Sequence, residues 1–156
     1  MERGRGNRVQ KSNGRLRRDR RGALEVMDIC LDTNAYSALM RGHEEVKDLL
    51  ERADSLIMPA IVLGELHAGF AAGSRSTENI QRLQAFLKTP GTRVADITQK
   101  TAERYGKLVR QLKLQGTPIP TNDIWIAAVS FDTGATLLTS DVHFSVIPML
   151  ETARIE

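Results

Sequence analysis

Four acidic side chains stand at positions where a folded chain could bring them together for chemistry. Asp32 and Asp141 each directly follow a short apolar run. Asp123 opens a helical pattern, and Glu65 interrupts the otherwise apolar stretch at 61–66. A carboxylate among aliphatic side chains is costly unless a cation pairs with it, and the basic residues beyond position 22 fall mostly on polar helix faces. The pattern therefore favours a divalent cation as the partner of these acids.

The chemistry of the donors narrows the choice of cation. Four carboxylates describe a site with oxygen ligands, which suits Mg²⁺, or alternatively Mn²⁺, better than zinc. Cys30 is the only cysteine, so a disulfide framework and a cysteine-based metal cluster within one chain are both excluded.

Each acid also has a purely structural interpretation. Asp123 would serve as a cap at its helix start, and Asp32 and Asp141 would accept backbone hydrogen bonds in turns. Glu65 would lie on a helix edge. Taken singly these signals are weak, and it is their combination that favours a metal site.

The elements that must position these acids alternate between strand and helix. Apolar runs of strand length occur at 26–31, 55–58, 93–97 and 136–138. Helical periodicity or helix-boundary residues indicate helices at 34–41, 44–53, 60–72, 77–88, 98–114, 121–131 and 143–150. This alternation predicts a single α/β domain with a mostly parallel central sheet flanked by helices. Ligands of such sheets collect at the carboxyl ends of the strands, where Asp32 and Asp141 stand.

The charge of the chain is divided unevenly. The 156 residues include 22 basic and 19 acidic ones, and residues 1–22 alone hold nine basic and two acidic side chains. The remainder therefore carries 13 basic and 17 acidic residues, a net of −4. We expect residues 1–25 to form a flexible basic tail and residues 26–156 to form the folded domain. The tail would either be a nucleic-acid-binding arm or lie outside the native protein, which would then start at Met27.

The sequence also predicts where the protein resides. The apolar stretch at 57–73 is interrupted by Glu65 and His67, so we expect no transmembrane helix and no membrane partner. No secretory signal pattern is present, and a lone cysteine fits a reducing compartment. A cytoplasmic location is expected.

The motifs around the acids resemble those of PIN-domain ribonucleases, and most closely the VapC-type toxins of bacterial toxin–antitoxin pairs. The matching stretches are 31–34 (LDTN), 64–66 (GEL), 122–128 (NDIWIAA), 138–144 (LTSDVHF) and 147–150 (IPML). Together they run through nearly all of the chain beyond the tail, and their order and spacing make the resemblance specific.

The resemblance implies a role for each acid. Asp32 and Asp123 would bind Mg²⁺ directly, whereas Glu65 and Asp141 would act directly or through water. Supporting hydroxyl and amide groups would come from four further residues: Thr33, Asn34, Thr139 and Ser140. The implied reaction is hydrolysis of an RNA phosphodiester bond, in which a metal-activated water leaves a free 3′-hydroxyl. The implied partners are the RNA substrate, a cognate antitoxin protein and a second copy of the chain in a homodimer.

Several other functions fit the residues less well than a ribonuclease does. Asp32 is followed by Thr33 and Asn34, so the second aspartate of an aspartyl-nucleophile phosphohydrolase is missing, and no glycine-rich turn follows the first strand. Two alternatives stay open: a housekeeping RNA-processing nuclease of the same fold, and a non-catalytic PIN-like module that binds RNA or protein. Retention of all four acids favours an enzyme. Aromatic residues make up only 4% of the chain, so no base preference can be inferred.

Overall fold

The computed structural model describes residues 27–155, which form an α/β fold around one sheet. The strands are β1 (Asp28–Leu31), β2 (Ser55–Pro59), β3 (Thr92–Ala95), β4 (Thr136–Thr139) and β5 (Thr152–Arg154). The α-helices are α1 (Thr33–Met40), α2 (Glu44–Glu51), α3 (Ala60–Ala72), α4 (Ser76–Leu87), α5 (Gln99–Gln115) and α6 (Thr121–Thr133). The expected basic tail at 1–25 lies outside the described residues.

The sheet has the strand order β3-β2-β1-β4-β5, and every pairing is parallel. The central strand β1 places Ile29, Cys30 and Leu31 in full burial, as expected for a parallel strand covered on both faces. Because the strands are parallel, their carboxyl ends share one edge of the sheet. The helices α1, α3 and the segment after β4 all begin at that edge.

Two features at the end of the chain differ from the sequence prediction. The strand β5 was not predicted, and the expected helix at 143–150 is a short 3₁₀ helix, Val142–Val146. Pro148 explains the early end of this helix, because the residue before a proline avoids helical backbone and Ile147 is extended. The mostly parallel sheet that was predicted is confirmed and proves wholly parallel among residues 27–155.

The alternative interpretation that Asp123 caps the start of α6 is wrong. The helix begins at Thr121 with Pro120 at the N-cap position, and no side chain caps it. Asp123 instead lies in the first turn and directs its carboxylate to His143. Within the described range, no helix combines the length and apolar character needed to cross a membrane.

Candidate active site at the carboxyl edge of the sheet

Asp32 lies at the end of β1 and is the N-cap of α1. One carboxylate oxygen accepts a hydrogen bond from the Ala35 backbone N–H at 2.6 Å, and the other accepts from the Thr139 hydroxyl. The residue is only 3% exposed, and this burial raises the pKa of Asp32 to about 6. The two hydrogen bonds lower that pKa, while the charges of Asp141 and Asp123 raise it.

Thr139 links two of the acids through one hydroxyl. Its Oγ1 donates to Asp32 and accepts a hydrogen bond from the Asp141 backbone N–H at 2.9 Å. The residue is buried at the end of β4, beside β1 in the sheet. Adjacent strand ends therefore fix the positions of Asp32 and Asp141 relative to each other.

Glu65 projects from the second turn of α3 and is held by two neighbouring helices. It accepts a hydrogen bond from the Thr33 hydroxyl of α1 and another from the Asn122 amide of α6 at 3.1 Å. Its charge also raises the pKa of Asp123, which places the two carboxylates in electrostatic contact. The helix therefore brings Glu65 to the same edge that the strand ends define.

Asp123 and Asp141 meet at the imidazole of His143. The His143 Nδ1 lies 3.0 Å from Asp123 Oδ2 and 3.2 Å from Asp141 Oδ1. One ligand atom from each of the three residues falls within 4.8 Å of the others, so together they could hold a metal ion. Burial raises the pKa of Asp123, the hydrogen bond from His143 lowers it, and the charge of Asp141 raises it.

The structure brings the four predicted acids into one electrostatic cluster, the acidic cluster (Asp32, Glu65, Asp123 and Asp141). Of the predicted supporting residues, Thr33 and Thr139 hydrogen-bond directly to these acids. Asn34 and Ser140 are exposed, and within residues 27–155 neither hydrogen-bonds to the cluster.

Sequence reasoning missed two residues of this site, His143 and Asn122. Both lie within the stretches that resemble PIN-domain ribonucleases, but neither was given a role. Their position in the sequence could have indicated a role, because each lies within two residues of a predicted acid at the same sheet edge. A polar side chain so close in sequence to a clustered carboxylate is a natural hydrogen-bond partner.

The donors of this site fit a hard divalent cation. Four carboxylates converge, and in the part of the chain that the structure describes no lysine or arginine forms an ion pair with any of them. A buried carboxylate such as Asp32 requires a compensating positive charge if it is to be ionised at neutral pH. Oxygen ligands favour Mg²⁺ or Mn²⁺ over softer metals.

Comparisons with known proteins agree with this geometry. The family model of the PIN domain matches residues 29–149. Ribonuclease VapC1 of Haemophilus influenzae is 33% identical over 117 residues, which cover 72% of this chain and 85% of that protein. Ribonuclease VapC2 of Rickettsia felis is 30% identical over 125 residues, covering 77% of this chain and 92% of that protein.

The solved structures that are similar in fold include VapBC complexes as well. VapBC2 from Rickettsia felis, bound to a DNA fragment from the promoter, matches with a TM-score of 0.75 and 28% identity over 83% of this chain and 100% of that chain. VapBC-1 from nontypeable Haemophilus influenzae matches with a TM-score of 0.74 and 28% identity over 82% of this chain and 98% of that chain. With a parallel sheet that gathers four acids at one edge, the chain belongs to the PIN-domain family and, within it, to the VapC ribonucleases.

Proposed function

We propose that this protein is a Mg²⁺-dependent endoribonuclease that cleaves RNA phosphodiester bonds as the toxin of a type II toxin–antitoxin pair. The observation that carries the proposal is the convergence of four carboxylates, at one edge of a parallel sheet, without a lysine or arginine among the described residues to neutralise them. The toxin role draws further support from the similarity to VapC ribonucleases and to VapBC complexes.

In this proposal Asp32 and Asp123 bind the metal directly, and Glu65 and Asp141 bind it directly or through water. The bound metal supplies a positive charge that polarises the scissile phosphate and lowers the pKa of a water. Thr33, Asn122 and Thr139 orient Glu65 and Asp32 by the hydrogen bonds described above. Asn34 and Ser140 are proposed to contact the substrate, because both are exposed and lie within two residues of an acid in sequence.

Proton transfer needs a group that the metal does not fully occupy. A carboxylate of the cluster, Glu65 or Asp141, accepts the proton of the attacking water in this proposal. His143, whose Nδ1 lies 3.0 Å from Asp123 Oδ2, is proposed to donate a hydrogen bond to the leaving oxygen. Hydrolysis that breaks the bond on the 3′-oxygen side leaves a free 3′-hydroxyl.

The charge of the acidic cluster indicates how an antitoxin would bind. A cognate antitoxin would neutralise the acidic cluster with a basic side chain, because a guanidinium can replace the metal as the counter-charge. We also propose a homodimer, which light scattering at micromolar concentration would detect. A cytoplasmic location is proposed on the sequence grounds given above. The sole cysteine, Cys30, is a buried core thiol whose pKa is raised by burial to about 12.

Cleavage of RNA with and without Mg²⁺ tests the proposed activity. The wild type should cleave only with the metal and give products with 3′-hydroxyl ends. Asp123→Asn should lose this activity. Asp48→Asn, which removes an exposed acid on α2, is the matched control and should retain it. A fully active Asp123→Asn variant would contradict the assignment of the metal site.

A further inference from the structure

A cavity of ≈ 460 Å³ with a mixed polar and apolar lining lies between α1, α3 and α4, and no residue of the acidic cluster lines it. Three arginines line it: Arg41 at the end of α1, Arg75 at the start of α4, and Arg82 on α4. No aspartate or glutamate is among the described residues that line the cavity. We name this cavity, with its three arginines, the arginine pocket.

The three arginines have no acidic partner in the described part of the chain. The ion pairs of residues 27–155 involve Arg104 and His143 but none of Arg41, Arg75 and Arg82. All three arginines are exposed, and their summed positive charge makes the mouth of the cavity attractive to an anion. Planar guanidinium groups also match phosphate oxygens by paired hydrogen bonds.

A buried hydroxyl in the same cavity points independently to a ligand. Tyr36 lines the arginine pocket and is 2% exposed, and its hydroxyl has no hydrogen-bond partner among the described residues. Burial raises the pKa of Tyr36, and the charge of Arg82 lowers it, which shows that this arginine acts on the hydroxyl. A buried hydroxyl without a partner costs free energy, so a phosphate oxygen that accepted its hydrogen bond would satisfy it.

The pocket lies along the same helix that leads into the catalytic site. Thr33 of α1 hydrogen-bonds to Glu65, and Ser37, one helical turn later, lines the pocket. The two residues are therefore about 6 Å apart along the axis of α1. Arg41 follows about 12 Å from Thr33 along that axis. The pocket is therefore close enough for an RNA strand whose scissile phosphate lies at the acidic cluster to reach it within a few nucleotides.

We propose that the arginine pocket is an RNA-backbone subsite, which binds a phosphate a few nucleotides from the cleaved bond. Arg75 and Arg82 hold the phosphate, Arg41 contributes positive charge, and the Tyr36 hydroxyl donates to a phosphate oxygen. Asn79, on the wall between the arginines, supplies an amide for the phosphate or the ribose. This proposal rests on the ribonuclease function and deepens it by locating substrate binding outside the metal site.

The test measures binding of a short single-stranded RNA to the full chain by fluorescence anisotropy, with a chelator present so that no cleavage occurs. The Arg75→Gln/Arg82→Gln double variant should bind about tenfold more weakly. The slope of a plot of log affinity against log salt concentration should become shallower by about 0.7 for each phosphate that the variant no longer neutralises. Arg52→Gln, an exposed arginine outside the pocket, is the matched control and should change neither quantity.

A second variant separates ligand binding from a structural role. Tyr36→Phe removes only the unpartnered hydroxyl, so its melting temperature should hold or rise while its RNA affinity falls several-fold. A lower melting temperature with unchanged RNA affinity would show that the hydroxyl serves the fold, and would overturn its place in the subsite.

Cleavage of the same RNA by the wild type with Mg²⁺ runs in parallel and separates the two proposals. If the wild type cleaves but the double variant binds RNA with unchanged affinity and salt dependence, the subsite is wrong and the ribonuclease function stands. If the wild type does not cleave while the variant still loses affinity, the subsite stands and the cleavage function fails. Loss of binding to a protein partner, with RNA binding unaltered, would make the pocket a protein-docking surface and overturn the proposal.

Discussion

The carboxyl group of Asp32 makes the metal-free protein sensitive to pH. Its pKa in the folded state, about 6, exceeds the ordinary value of 3.8, so the folded state binds the proton more tightly than the unfolded chain. The free energy of unfolding therefore decreases as the pH rises from about 4 to 6, and the penalty is complete at neutral pH. At about 1.4 kcal/mol per pKa unit, it amounts to about 3 kcal/mol.

Asp32→Asn should remove this penalty. Asparagine keeps an oxygen for the Ala35 N–H but carries no charge, so the metal-free variant should be more stable than the wild type by up to about 3 kcal/mol at pH 7. The two proteins should have nearly equal stability at pH 4. Urea unfolding at both pH values measures the difference, with Asp48→Asn as the control. Equal stabilities at pH 7 would show that Asp32 is neutralised by a group other than a metal.

Thr139→Val should have the opposite effect at neutral pH. Valine has nearly the same shape but leaves the buried Asp32 carboxylate and the Asp141 N–H without the hydroxyl. We expect a loss of roughly 1–3 kcal/mol at pH 7, since a buried charged acceptor loses a donor. The loss should be smaller at pH 4, where Asp32 is protonated. Thr139→Ser restores the hydroxyl and should recover most of the stability in the same unfolding experiment.

At the scale of elements, the turn between α6 and β4 controls where β4 begins. Gly134 ends α6 in the left-handed region at φ 68°, with nothing within 4 Å of the place where a Cβ would lie. Gly134→Ala should therefore cost about 1 kcal/mol through backbone strain alone.

A matched alanine substitution separates this backbone strain from a change of volume. Gly106→Ala, in open space inside α5, should instead stabilise the protein by about 0.5–1 kcal/mol. Urea unfolding of both variants gives the comparison. Equal effects of the same sign would contradict a role for the left-handed turn.

The sequence predicted α3 best, because Pro59 and Gly73 mark its two ends. The predicted limits of α3 agree with those observed, Ala60–Ala72, and the carboxyl-edge location of Asp32 and Asp141 is confirmed by the strand order. The strand β5 was missed because three residues show no periodicity and form a strand only by pairing with β4. His143 and Asn122 were missed because their role depends on which side chains meet across elements.

Metal binding links the acidic cluster to the stability of the whole molecule. The proposed Mg²⁺ would bind the assembled site and not the unfolded chain, so it should stabilise the wild type by about 2.7 kcal/mol at a concentration about one hundred times the Kd. Asp123→Asn loses a proposed ligand and should respond much less. Thermal melts across a Mg²⁺ series measure this, and Ca²⁺ and Mn²⁺ series compare ion preference. Identical shifts in both proteins would mean that Mg²⁺ binds elsewhere.

A hydrogen bond just after the last strand, β5, connects residue 155 to the acidic cluster through Thr139. Ile155 donates its backbone N–H to the carbonyl of Thr139 at 3.1 Å, and the side chain of Thr139 holds Asp32. Proteolytic trimming back to Glu151 would remove this hydrogen bond together with β5, and would therefore weaken the support of Asp32, a proposed metal ligand, without touching its carboxylate.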